Sequence, residues 1–191
     1  MKKGRLEAFS DGVFAIIITI MVLELHVPAG HHIGDLLPVL PVLLSYVLSF
    51  VHVGIYWNNH HHMIYAADRV NGAILWANLN LLFWLSLLPF VTAWVGESHF
   101  AQWPVILYGS VLVMNGIAYT ILCRLLIKEA GPASPLAIAL GKDWKGKASV
   151  IIYSIAILLA FLNPYIALGL YIIVAIMWFI PDRRIEKKVS A

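Results

Sequence analysis

The hydrophobic positions of this 191-residue chain gather into six apolar stretches separated by shorter polar segments. A helix needs about 20 mainly apolar residues to cross a bilayer, because it rises about 1.5 Å per residue through a hydrocarbon core about 30 Å thick. The stretches that approach or exceed this length lie at about 6–27, 36–62, 71–95, 101–127, 148–162 and 165–180. The pattern predicts an all-α integral membrane protein with six transmembrane helices in one domain, residues 1–191.

The composition excludes an ordinary soluble domain. Hydrophobic residues make up 61% of the chain and charged residues only 12%, with a mean hydropathy of +0.85. A soluble domain carries about 25% charged residues, roughly twice as many. The single cysteine, Cys123, excludes an intramolecular disulfide framework.

The positive charges predict the orientation in the membrane. All 13 Lys and Arg residues lie in or beside the N-terminal tail, the second-to-third connection, the fourth-to-fifth connection and the C-terminal tail. Cytoplasmic segments carry the excess of Lys and Arg, so both termini are expected in the cytoplasm of a multi-pass protein of the cell (cytoplasmic or inner) membrane. Because the charge follows membrane topology, the net charge of +3 does not predict a nucleic-acid partner.

Polar side chains stand at the start of the otherwise apolar first span, at Arg5, Ser10 and Asp11. An ionisable group such as Asp11 is expensive inside a membrane, so a partner on another helix is expected. The start of the first span, the end of the second and the start of the third share the cytoplasmic side. The candidate partners, with Asn115 of the fourth span added, are Trp57, Asn58, Asn59, His60, His61, His62, Asn78 and Asn80. Such a cluster either fixes the helices to one another or takes part in gating or conduction.

The run His60-His61-His62 does not predict a metal site. Successive helical residues point about 100° apart, so three adjacent histidines cannot easily converge on one ion. Helical metal ligands are usually spaced as in H-E-x-x-H. The chain also has no P-loop and no pattern of a catalytic triad, so neither a metal nor an enzyme activity is expected.

One face of the first span carries an aliphatic stripe. Ile16, Ile20 and Leu23 follow helical spacing, with Thr19 and Glu24 beside them. On a lone helix this stripe is ordinary core or lipid contact. If several copies surround an axis, it becomes stacked hydrophobic rings of the kind that gate by dewetting, and Glu24 forms an acidic ring that favours cations.

Three motifs resemble the transmembrane protein 175 family, which comprises the endosomal and lysosomal potassium channels and their prokaryotic relatives. R-x-x-x-F-S-D in the first span is the most specific of them. W-x-x-H-H in the second span and L-L-F-W-L-S-L-L-P-F in the third support it. The residues of these motifs are Arg5, Phe9, Ser10, Asp11, Trp57, His60, His61 and the range 81–90.

The resemblance implies a homotetramer of single-repeat subunits whose first helices line the pore, without a re-entrant filter loop. It implies a constriction at Ile16, with further pore-lining layers at Thr19, Ile20 and Leu23. The network that holds the pore helix maps onto Arg5, Phe9, Ser10, Asp11 and Trp57, together with His60 or His61 and with Asn78 or Asn80. The implied function is a potassium-permeable cation channel that conducts passively along the fourfold axis. Its partners would be its own copies, membrane lipid and permeant monovalent cations, with K⁺ in the pore and no cofactor.

Two other functions remain open from the sequence. A proton-coupled cation transporter or exchanger would use Asp11 and either His60 or His61 as a relay. Transporters usually show internal repeats and broken helices, and neither is evident in this sequence. A structural membrane subunit would show no transport of its own.

Overall fold

The computed structural model describes residues 3–65, 69–132, 134, 137–138 and 144–179, and within these ranges the chain is helical with no strand. This agrees with the predicted all-α class. A 3₁₀ helix at Ile33–Val39 precedes the second α-helix. The α-helices are α1 Lys3–Leu23, α2 Leu40–Tyr65, α3 Gly72–Ser86, α4 Leu88–Glu97, α5 Gln102–Ala130, α6 Trp144–Ala160 and α7 Pro164–Phe179.

Among the described residues, four helical stretches are long and apolar enough to cross a membrane, namely Lys3–Leu23, Ile33–Tyr65, Gly72–Glu97 and Gln102–Ala130. Pro164–Phe179 is a shorter apolar helix, and Trp144–Ala160 has 17 residues. Several apolar helices in one chain indicate a multi-pass membrane protein. The basic C-terminal tail and the predicted end of the sixth span at residue 180 lie outside the described residues.

Several helix ends differ from their predicted positions. The first helix ends at Leu23 rather than near residue 27, five residues before Pro28. The second α-helix begins at Leu40 rather than at residue 36, after the 3₁₀ turn that contains Pro38, and it continues to Tyr65. Helix α6 begins at Trp144, four residues before the predicted start.

The third apolar stretch, predicted as one helix, is divided at Leu87 into α3 and α4. Pro89 cannot donate a hydrogen bond to the carbonyl of Leu85, and its ring crowds that carbonyl. Two residues before this proline, Leu87 N–H bonds to the carbonyl of Trp84, three residues back, at 3.3 Å. Helical bonding resumes where Val91 N–H donates to the carbonyl of Leu87 at 3.2 Å.

Helix α5 is the centre of the fold and packs against α3, α4, α6 and α7. Helices α6 and α7 form a tight hairpin turned at Asn163, whose side-chain oxygen accepts from Tyr165 N–H at 2.8 Å. Helix α1 contacts α2, α3 and α4. It therefore lies at one side of the bundle, where only part of its surface is covered by its own chain.

Candidate functional site: the first helix and its polar anchor

The two faces of α1 differ in what covers them. Residues spaced three or four apart on one face are buried against the neighbouring helices, namely Leu6, Ser10, Phe14, Ile17 and Met21. The other face carries Ile16 and Leu23, which remain 59% and 75% exposed, and the half-exposed Ile20. These three aliphatic residues are the exposed stripe. Because much of their surface is left open by the described part of their own subunit, the stripe must contact lipid, another subunit or the water of a pore.

A buried chain of hydrogen bonds fixes α1 to α2 and α3. Asn78 on α3 donates from Nδ2 to Ser10 Oγ on α1 at 3.0 Å. Its Oδ1 accepts from His60 Nε2 on α2 at 2.7 Å, so the proton of this imidazole lies on Nε2. All three side chains are buried, and Asn78 uses both ends of its amide. A buried, hydrogen-bonded polar side chain that joins three mainly apolar helices fixes how these helices are rotated relative to one another.

A second contact joins α1 to α2 through an ionisable group. Trp57 Nε1 donates to Asp11 Oδ1 at 2.9 Å. The Trp57 ring stacks on His61 at 6.3 Å between centroids, and His61 stacks on Tyr65, also at 6.3 Å. The ammonium group of Lys3 lies 4.9 Å from the centre of the Tyr65 ring and donates to the Tyr65 carbonyl. The start of α1 is thus held along the last two turns of α2.

We call Ser10, Asp11, Trp57, His60 and Asn78 the polar anchor. The structure joins these five predicted residues in two separate groups, because Asp11 bonds to Trp57 whereas His60 bonds to Asn78. Asp11 and His60 therefore do not share a hydrogen bond.

The other predicted network residues lie outside the polar anchor. Arg5 and Phe9 are exposed in the subunit, and Arg5 makes no hydrogen bond or ion pair within the described part of the chain. His61 contributes its ring stacking rather than a hydrogen bond. Asn80 is exposed, and Asn115 is buried with neither amide atom bonded to a described residue.

Two polar residues, Thr19 and Glu24, lie beside the exposed stripe toward the C-terminal end of α1. Thr19 is exposed, and its hydroxyl donates to the carbonyl of Ala15 at 2.8 Å. The hydroxyl proton is therefore used within α1, which leaves the oxygen lone pairs available to a cation. Glu24 follows the end of α1 and borders a groove of about 580 Å³ between α1 and α4, together with Glu97.

Two contributors to this region were not predicted from the sequence. Tyr65 continues the four-residue spacing of Trp57 and His61, which could have identified it. The sequence predicts Glu97 in an extracellular connection, because that connection carries no Lys or Arg. Only the packing of α4 on α1 brings Glu97 near Glu24. Within the described ranges, no three His, Cys, Asp or Glu side chains come together in a way that could hold a metal ion.

The sequence model of the family described as endosomal/lysosomal potassium channel TMEM175 matches residues 5–89, which contain all but the first two residues of α1 and the whole polar anchor. A potassium channel of Chryseobacterium sp. (strain P1-3) is 57% identical over 190 residues, covering 100% of this chain and 99% of that protein. The human endosomal/lysosomal proton channel TMEM175 is 32% identical over 116 residues, which are 54% of this chain and 23% of the human one.

The fold is also similar to a solved structure. The crystal structure of a lysosomal potassium-selective channel TMEM175 homologue from Chamaesiphon minutus superposes with a TM-score of 0.80 at 29% identity. The match covers 94% of this chain and 97% of that chain. The relatives are ion channels and not enzymes. The chain belongs to the prokaryotic branch of the TMEM175 channel family.

Proposed function

We propose that this protein is a potassium-permeable cation channel of the cell membrane, built as a homotetramer with both termini in the cytoplasm. Each subunit contributes six transmembrane helices, of which α3 and α4 together make the third. K⁺ passes passively along the fourfold axis, and no cofactor takes part. The relatives named as potassium channels in Chryseobacterium and Chamaesiphon support the choice of ion.

The observation that carries the proposal is the exposed stripe on α1. Ile16, Ile20 and Leu23 are uncovered, while the opposite face of the same helix is packed. Around a fourfold axis, the three residues form rings separated by about 6 Å and about 4.5 Å, from a rise of about 1.5 Å per residue. Rings of bulky aliphatic side chains at this spacing form a hydrophobic constriction that resists wetting.

Polar groups complete the proposed path. Thr19 offers hydroxyl oxygens between the rings of Ile16 and Ile20, where a partly dehydrated cation has few other oxygen ligands. Glu24 gives an acidic ring at the outer mouth, which raises the local concentration of cations. Membrane lipid covers the apolar surfaces that face away from the axis.

The polar anchor has a structural role in this proposal. The rotation of α1 decides whether the stripe or the packed face points to the axis. The hydrogen bonds of Ser10, Asn78 and His60 hold that rotation, and the bond between Asp11 and Trp57 holds the cytoplasmic end.

Proton transport is the second candidate, because the human relative is named a proton channel. A proton-coupled exchanger would use Asp11 with His60 or His61. The separate bonding of Asp11 and His60 disfavours a direct relay between them, since each would first have to leave its partner.

The proposal is tested with purified protein in liposomes under a potassium gradient, with and without a pH gradient. A current that reverses at the potassium equilibrium potential, whatever the pH gradient, supports the channel. Dependence on the pH gradient would favour proton transport, and the absence of any flux would leave a structural role.

The position of the constriction is tested by Ile16→Asn, which places a polar amide in the narrowest ring and is expected to raise potassium flux. Ile151→Asn is the matched control, because Ile151 on α6 is 58% exposed against 59% for Ile16. Unchanged flux in Ile16→Asn, or an equal rise in both variants, would remove Ile16 from the gate.

A further inference from the structure

A small cavity lies inside the subunit, away from the exposed stripe of α1. It has a volume of about 30 Å³ and is formed by α2, α5, α6 and α7. A water molecule needs about 10–15 Å³ of such space and two to four polar partners. The polar side chains at its wall are His52, Tyr56, Asn59, Tyr119, Ser149, Tyr153 and Trp178.

His52 places an acceptor without a partner at this cavity. The side chain is 2% exposed. Its Nδ1 donates to the carbonyl of Leu48 at 2.9 Å, which leaves Nε2 of the neutral ring as an acceptor. Nε2 is buried and has no hydrogen bond to any described residue. On folding, such a buried acceptor loses its hydrogen bonds to water and gains none from the protein, which costs free energy.

Two donors line the same cavity. The phenol groups of Tyr56 and Tyr153 make no hydrogen bond to another residue of the described ranges. The neighbouring tyrosines differ, because Tyr108 bonds to Ser49 Oγ at 3.0 Å and Tyr171 donates to the carbonyl of Val105 at 3.1 Å. Tyr56 is one helical turn from His52 on α2, and the ring of Tyr153 on α6 lies 6.3 Å from the His52 ring.

We propose that this cavity is a binding site for one ordered water molecule. The water donates to His52 Nε2 and accepts from the phenols of Tyr56 and Tyr153. It fits because its hydrogens match the unpaired acceptor of His52, its lone pairs match the two phenol donors, and the cavity is large enough to hold it. The water joins α2 to α6 and so links the hairpin of α6 and α7 to α2, the helix that carries Trp57 and His60 of the polar anchor.

The direct test is a structure of the intact protein at a resolution that resolves buried waters. Density within hydrogen-bond distance of His52 Nε2, at about 2.7–3.2 Å, is expected in the cavity. Its absence, where other buried waters are visible in the same map, would overturn the proposal.

A thermal-melting cycle gives an independent test. The single variants Tyr56→Phe and Tyr153→Phe each remove one donor to the water and keep the ring. Because both phenols donate to the same water molecule, the shift in melting temperature of the double variant should differ clearly from the sum of the two single shifts. Additive shifts would overturn the shared site.

The matched control is Tyr46→Phe on α2. Tyr46 pairs its ring with Phe50, lies outside the cavity wall, and makes no hydrogen bond to a described residue. Its shift should add to that of Tyr153→Phe. This cycle needs no change at His52, so it remains informative if replacement of the histidine prevents folding.

Discussion

Replacement of Asn78 by alanine should loosen the first helix, because this side chain is the link between Ser10 and His60. Asn78→Ala removes the 3.0 Å bond to Ser10 and the 2.7 Å bond from His60. Interhelical hydrogen bonds in membrane proteins average about 0.6 kcal/mol and reach about 1.7 kcal/mol. Two such bonds give a loss of about 1–3 kcal/mol, before any loss of packing around a residue that is fully buried.

The assay is the thermal stability of the purified protein in detergent, followed by size-exclusion chromatography after heating. Asn80→Ala is the matched control, because Asn80 lies two residues away on α3 and is exposed. An exposed substitution of this kind usually changes stability by less than about 0.5 kcal/mol. Equal losses in the two variants would refute the reasoning.

The linkage within the polar anchor gives a sharper form of the same test. Ser10→Ala alone leaves the buried Nδ2 group of Asn78 without its partner among the described residues. In the Asn78→Ala background that donor no longer exists, so Ser10→Ala should cost much less. Strictly additive losses would show that the two side chains do not act through their hydrogen bond.

Other consequences of the structure concern charge, the anchor and the packing of α5. Glu24→Gln should reduce potassium conductance at low ionic strength and have little effect at high salt, because salt screens exposed charges. Equal conductance of the variant and the unmodified protein at low salt would contradict an acidic outer ring. Asp11→Ala should impair assembly more than ion preference, whereas Asp11→Asn retains an oxygen that can accept from Trp57; chromatography and liposome flux separate the two effects. Gly109→Ala should destabilise the subunit by about 1–3 kcal/mol, because a methyl group there meets a phenol of α7. Gly54→Ala, with no atom within 4 Å of the added carbon, should be neutral or stabilising in the same melting assay.

Two predicted features of the helices have different outcomes for physical reasons. The helical class and its membrane character follow from apolar stretches long enough to cross a bilayer, and they are confirmed. The third stretch was predicted as one helix and is divided at Leu87, because hydropathy does not register the missing N–H of Pro89. The predicted end of α1 near residue 27 is also wrong, because the helix ends at Leu23.

The polar residues of the site are harder to predict than the helices. Adjacent helical residues point about 100° apart, so only one of His60 and His61 can face α3. The sequence does not fix the rotation of α2 about its axis, and the packing directs His60 inward and leaves His61 exposed. Asn78 and Asn80 are two residues apart and point about 200° apart around α3, so again only one is buried, which is Asn78.

The sequence by itself determined that the chain enters a membrane, because the length and apolarity of its stretches depend on local composition alone. It also determined that Ile16, Ile20 and Leu23 share a face, because helical periodicity relates them. Only the tertiary structure decided that this face of α1 stays uncovered while Phe14, Ile17 and Met21 are buried. Both faces are apolar, so hydrophobicity cannot distinguish them. The distinction comes from the fit of Asn78 between Ser10 and His60, which requires three helices to be in place.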